Sequence, residues 1–163
     1  MAIKLSTGLR NAVLDTGSVR SELNGGYLHI YSGTPPETAD IGKEAGNTLL
    51  ATIYSNGGSD PGAGGLGFEA EAVDGQLAKA SAQTWGNAST GDNGNFATGT
   101  ATYFLFVGSA EVDGSTIATS ASAPRVMGSV GTSPFTNDLV LSSETLTQGV
   151  PQTISAFYIY IPV

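Results

Sequence analysis

The chain has 163 residues, 40% of them apolar and 12% charged, with 23 glycines and no cysteine. That length and apolar content suit one domain with its own core, and the missing cysteines exclude disulfides and thiolate-held metals. The net charge is −8 with only six basic residues, which excludes the clustered cations that nucleic-acid binding needs.

Abundant Gly, Ser and Thr with few charges favour short strands joined by turns over helices. The expected fold is all-β: an antiparallel β-sandwich of jelly-roll type with a short N-terminal helical segment. Residues 1–26 make an N-terminal arm and that helical segment, and residues 27–163 make the sandwich. In chain order, Ser6 or Thr7 caps a helix through Leu14, with Leu9, Val13 and Leu14 on one face, and Gly17 ends it. A second helical turn covers 19–23 before Gly25-Gly26 breaks it. Extended patterns follow at 27–32, 49–55, 67–72, 76–80, 98–108, 125–130, 138–142 and 153–161. Between two of these, Val73-Asp74-Gly75-Gln76 predicts a tight hairpin, because Asp-Gly readily takes the positive φ angles of a two-residue turn. The connections 33–48, 56–65 and 86–96 are long and rich in Gly, Asn, Asp and Pro, as expected of loops that bind something or are ordered by a neighbour.

Two of the predicted strands are apolar on both faces. In 100–107, Tyr103, Leu105 and Val107 alternate with Thr102, Phe104 and Phe106. In 153–161, Ile154, Ala156, Tyr158 and Tyr160 alternate with Phe157, Ile159 and Ile161. A sheet wetted on one side alternates apolar with polar residues, so both strands are expected to be covered twice. Either a loop or the N-terminal helices cover the second face, or a second subunit does. On the second alternative Phe104, Phe106, Phe157 and Ile159 are interface residues of a dimer or trimer.

Charge is unevenly spread. Lys4, Arg10 and Arg20 oppose only Asp15 in the first twenty residues, two net positive charges there against ten net negative ones in the rest of the chain. Ile3, Lys4 and Leu5 precede the first cap, so they are expected to form a mobile arm. With Arg10 and Arg20, that arm would dock on an acidic partner surface. No apolar run approaches the roughly 20 residues of a membrane span, so no membrane partner is expected.

Several blocks carry a likeness to a known group. They are Leu5-Ser6-Thr7-Gly8-Leu9-Arg10-Asn11-Ala12-Val13-Leu14, the run Leu28-His29-Ile30-Tyr31-Ser32-Gly33-Thr34-Pro35-Pro36, and Ala39-Asp40. Looser matches follow at Gly67-Phe68-Glu69-Ala70, Thr84-Trp85, Ala97-Thr98-Gly99-Thr100-Ala101, Pro124-Arg125 and Gln152-Thr153-Ile154. The combination resembles small structural proteins of tailed bacteriophages and prophages. That resemblance implies a virion component without enzymatic activity or cofactor. In its most specific form this is a capsid decoration or cement protein, seated between major capsid protein subunits on the head surface. A tail, neck or fibre-associated part is the alternative within the same biology. The opening Met1-Ala2-Ile3-Lys4-Leu5 is too short and polar for a signal peptide, consistent with synthesis in the bacterial host cytoplasm.

Ala12-Val13-Leu14-Asp15-Thr16-Gly17-Ser18 resembles the Asp-Thr-Gly-Ser signature of aspartic proteases, with Val126-Met127-Gly128 as the accompanying apolar-apolar-Gly element. A retropepsin-like dimer would share one proton between two such aspartates. Arg10 and Asn11 inside the preceding segment argue instead for a helix ending at Asp15. The single histidine, His29, lies in a strand between two tyrosines and is expected to be packed rather than catalytic. Gly91-Asp92-Asn93-Gly94-Asn95 lacks the spaced carboxylates of a calcium loop, so no metal is expected. Asn87-Ala88-Ser89 fits a glycosylation sequon and reads as loop composition. Trp85 and Tyr54, with the long loops, would form the sugar platform of a jelly-roll glycan-binding module.

Overall fold

A computed structural model describes residues 3–54, 65–74, 76–80, 97–148, 150 and 158–160. Its elements are β1 (Lys4–Leu5), α1 (Thr7–Asp15), α2 (Val19–Leu23), β2 (Tyr27–Ser32), β3 (Thr48–Ile53), β4 (Gln76–Ala78), β5 (Gly99–Thr100), β6 (Tyr103–Val107), β7 (Arg125–Gly131), β8 (Leu139–Val140), β9 (Thr145–Leu146) and β10 (Tyr158–Tyr160). The fold is all-β, mainly antiparallel, with two short helices near its N-terminus.

Local chemistry sets both helices. Ser6 holds an extended conformation and its hydroxyl accepts the Leu9 N–H at 3.1 Å, the standard way to satisfy a helix's orphan donors. The helix ends where the Gly17 N–H turns back onto the Ala12 carbonyl at 2.8 Å. Ser18 and Ser21 exchange hydrogen bonds as a capping box that starts α2. The expected apolar face of α1 is corrected, because Leu9 is buried while Val13 and Leu14 are 41% and 84% exposed. Only the first turn is seated. A Cβ on Gly8 would stand 2.4 Å from the Ser122 carbonyl carbon, so helix and chain meet backbone to backbone there, and the C-terminal turn lifts away.

Six strands form the main sheet, in the order β1-β7-β6-β2-β3, with β8 lying parallel along the same edge of β7 that β1 takes. A register shift at Ile30/Tyr31 marks a bulge between β2 and β3. β4 pairs with β10, and β5 with β9, as separate two-stranded ribbons. Among the described residues the strands do not pair into the two facing four-stranded sheets of the expected jelly roll. The hairpin at 73–76 forms: Val73 and Gln76 bond reciprocally at 3.0 and 2.9 Å, and Asp74 has φ 51°. The predicted strand 67–72 is reduced to isolated bridges at Leu66 and Phe68.

Both faces of the sheet are buried by this chain's own residues. On one side Leu28, Ile30, Phe104, Phe106, Val126 and Val130 pack against Leu9, Leu23, Leu66, Phe68, Leu77 and Ile159. On the other, Tyr27, Tyr31, Tyr103, Leu105, Val107 and Met127 are covered by Ala39 and Ile117, from two long connections. Those connections also grip each other, through Lys43 N–H to the Ile117 carbonyl at 2.9 Å and Ser120 N–H to the Asp40 carbonyl at 2.8 Å. Phe104 and Phe106 are at most 1% exposed and Ile159 is 8% exposed, so they have no surface left for a second subunit. Phe157 lies outside the described residues.

The N-terminal residues are tied into the main sheet. Lys4 and Leu5 pair with Met127 and Val126, and the Lys4 ammonium donates to the Glu37 carbonyl at 2.7 Å. These residues are an edge strand of the main sheet and not a mobile arm, because the β7 backbone offers them an unpaired edge.

Candidate functional site

Beneath the two connections lies a buried polar node, built by residues far apart in sequence. Arg125 opens β7 and is fully buried. Its Nε donates to Glu111 Oε2 at 2.7 Å, and its second terminal nitrogen pairs with Glu111 Oε1. The same guanidinium donates to the Ala118 carbonyl at 2.7 Å and the Asp40 carbonyl at 3.0 Å. Its backbone N–H reaches Ser6 Oγ at 2.9 Å, while the Ser6 N–H returns to the Arg125 carbonyl at 2.9 Å. Asp40 closes the circuit by accepting the Thr7 N–H at 2.6 Å and the Thr7 hydroxyl at 2.7 Å. Those two hydrogen bonds hold its carboxyl below the usual range, because they stabilise the ionised form.

His29, on β2, is buried next to this node. Its Nε2 lies 3.1 Å from the Glu111 carbonyl, which can only accept, so Nε2 carries the proton and Nδ1 accepts from the Thr52 hydroxyl at 3.0 Å. Burial pulls its pKa down to about 4, against the opposing pull of the Glu111 carbonyl and the Asp113 charge. Gly114 passes so close that a Cβ there would stand 2.4 Å from Nδ1. Tyr31 stacks on Tyr103 with ring centres 5.0 Å apart and donates to the Gly114 carbonyl at 2.8 Å. Burial pushes both phenols up, Tyr103 to about 12. Asn47 donates to the Tyr103 hydroxyl at 2.8 Å.

Every polar head named in this node has its partners inside the chain. His29 has both ring nitrogens engaged and no exposed surface, so it cannot reach a substrate proton in this state. Among the described residues no group of three or more His, Asp or Glu is placed to hold a metal ion. The node therefore does mechanical work, pinning 39–40 and 111–118 over the second face of the sheet.

The residues singled out from sequence are scattered around it. Asp15 is the exposed last residue of α1, so the Asp-Thr-Gly segment ends a helix instead of following a strand. Met127 and Gly128 are buried inside β7. Tyr54 is 1% exposed and packs in the core, which removes it from any sugar platform; Trp85 and the 87–95 segment lie outside the described residues. Arg10 and Arg20 are exposed, and Ile3 and Leu5 are 42% and 39% exposed. The Arg125–Glu111 pair was not found from sequence. Its signal was an arginine directly before an apolar strand in a chain with only six basic residues.

One surface stands apart from the node. An apolar groove of about 390 Å³ runs between the α1–α2 junction and the β4/β10 ribbon, lined by Val13, Val19, Arg20, Ala72, Leu77 and Ile159 among others. Among the described residues, no helix is long and apolar enough to cross a membrane. Compared with known proteins, the chain matches no family model, no curated protein and no solved structure.

Proposed function

We propose that this protein is a structural component of a tailed-phage virion, acting as a capsid decoration protein between neighbouring major capsid protein subunits. The observation that carries this proposal is where the resembling blocks meet. Residues 5–14, 39–40 and 124–125 lie far apart in sequence, yet Ser6, Thr7, Asp40 and Arg125 bond to one another at a single node, with Ser6 and Arg125 buried at its centre and Thr7 and Asp40 half-buried at its edge. On this reading the blocks form a scaffold, since the node's charges go to backbone carbonyls and to one internal carboxylate.

In this role the protein adds interface to a lattice and catalyses nothing. Binding only the mature arrangement of capsid subunits stabilises that arrangement by mass action, in proportion to the logarithm of protein over dissociation constant. Arg10 and Arg20 supply exposed positive charge in an otherwise acidic chain and would steer it to an acidic lattice surface. Quantitative mass spectrometry of purified virions carrying the encoding genome tests the role. Hundreds of copies per particle support decoration of the head, and a few to a few dozen move the protein to the tail or neck. Its absence from particles overturns the proposal.

A further inference from the structure

We infer that residues 112–116 form a flap over the tyrosine-lined face of the sheet, and that this flap opens when His29 takes up a proton. The geometry is that of a strap tied at both ends. One guanidinium, that of Arg125, holds the Glu111 carboxylate at one end and the Ala118 carbonyl at the other, where the Ile117 carbonyl also accepts the Lys43 N–H at 2.9 Å. Between those ties the tip carries its own hydrogen bonds. Asp113 accepts the Ser115 N–H at 2.8 Å, the Ser115 hydroxyl at 2.6 Å and the Thr116 hydroxyl at 3.1 Å, so the tip can lift as a unit without giving these up. The Tyr31 hydroxyl, on the Gly114 carbonyl at 2.8 Å, and the half-buried Val112 hold its centre down.

Beneath the tip lies His29, with no exposed surface and with Gly114 against the Nδ1 edge of its ring. The groups that face the ring from the sheet are uncharged: Thr52 on β3, Leu105 directly across on β6, and Tyr27 and Tyr31 on β2. The strap brings Asp113, whose attraction favours a proton on the ring, and Glu111, whose carboxylate Arg125 of β7 already holds. Burial outweighs that attraction and keeps the ring neutral, with its pKa near 4. Lifting the tip admits water to the ring and returns it towards its ordinary 6.5. The open state therefore binds the proton more tightly, and a fall in pH from 6.5 towards 4 shifts the population from closed to open.

The test uses the full chain, which has no cysteine of its own. Leu105→Cys places a thiol across from His29 on the covered face, and Val126→Cys places one on the other face. Labelling with a disulfide reagent active in acid, corrected for the rate of the unfolded chain at each pH, reads how often each face opens. At pH 5 the Leu105→Cys protein should label at least about tenfold faster than the Val126→Cys protein, and at low urea its rate should barely depend on denaturant, because a flap exposes little surface. Its protection should fall about tenfold or more from pH 7.5 to pH 5, and His29→Gln should abolish that fall. On the unsubstituted chain, 15N relaxation dispersion across 112–116 should grow over the same interval as these amides leave the His29 and Tyr31 rings. Equal protection of the two faces, labelling across from His29 that ignores pH, a pH response that survives His29→Gln, or a 112–116 segment without dispersion at pH 5 would each overturn the assignment.

Discussion

Arg125 and Glu111 form a two-pronged ion pair in which the arginine side chain is 1% exposed and the glutamate side chain 20%. The pair closes the 111–118 connection over the sheet. Arg125→Ala leaves the Glu111 carboxylate and the Ala118 carbonyl without this donor and takes one of two donors from the Asp40 carbonyl, so it should cost about 3–5 kcal/mol, measured by urea unfolding. Replacing a simple buried pair with two methionines is often neutral. Here Arg125→Met with Glu111→Met should remain destabilised by about 0.5–1.5 kcal/mol, because the Ala118 and Asp40 carbonyls lose a charged donor that methionine cannot replace. A neutral double variant would show that the carbonyl contacts contribute nothing.

His29 makes stability depend on pH. Burial lowers its folded-state pKa to about 4 from an ordinary 6.5. Below pH 6.5 the unfolded chain takes up a proton that the folded chain refuses, so stability is full above that value and falls as pH drops towards 4. The loss by pH 4.5 should be about 1–3 kcal/mol. Denaturant titrations between pH 7.5 and pH 5, above most carboxylate titration, should show this slope in the wild type and a flatter one in His29→Gln. Equal slopes would remove His29 as the cause.

Gly8→Ala sets two effects against each other. Helix propensity favours Ala over Gly by about 1 kcal/mol in a helix interior. Against that, the new Cβ would meet the Ser122 carbonyl carbon and oxygen at 2.4 Å, and backbone cannot swing aside like a side chain. The clash should win, with a net loss of about 1–3 kcal/mol in the thermal or chemical unfolding of the variant. A stabilised variant would mean that α1 shifts freely on the 122–123 segment.

Deleting residues 1–5 tests the edge strand. Because Lys4 and Leu5 pair with β7 and the Lys4 ammonium is bonded to Glu37, the free protein should lose about 1–3 kcal/mol of stability. A free arm would leave the unfolding midpoint unmoved, so the midpoint alone separates the two cases.

Much of the local structure was legible in the residues themselves. Ser6 announces its helix because a cap is a contact between neighbours three residues apart. Asp74 announces its hairpin because a two-residue turn needs a positive φ at that position. The two-sided apolar pattern of 103–107 correctly placed Phe104 and Phe106 on one face and Tyr103, Leu105 and Val107 on the other. Each of these signals is short-range, set by backbone geometry and by which side chains avoid water.

What covers the second face was decided by tertiary structure alone. A covering loop and a covering subunit bury the same side chains and leave the same alternation in the sequence. The folded chain chooses the loops, because Arg125 can reach Glu111, Ala118 and Asp40 at once. The two-residue strands β1 and β9 were invisible for the same reason, since two residues carry no period: β1 forms on the open edge of β7, and β9 pairs with the equally short β5. The node joins Ser6 to Arg125 across 119 positions and Thr7 to Asp40 across 33. Polarity alone marks such residues as surface. Only the closed fold, by excluding water and supplying partners, makes it favourable to bury Ser6 and Arg125.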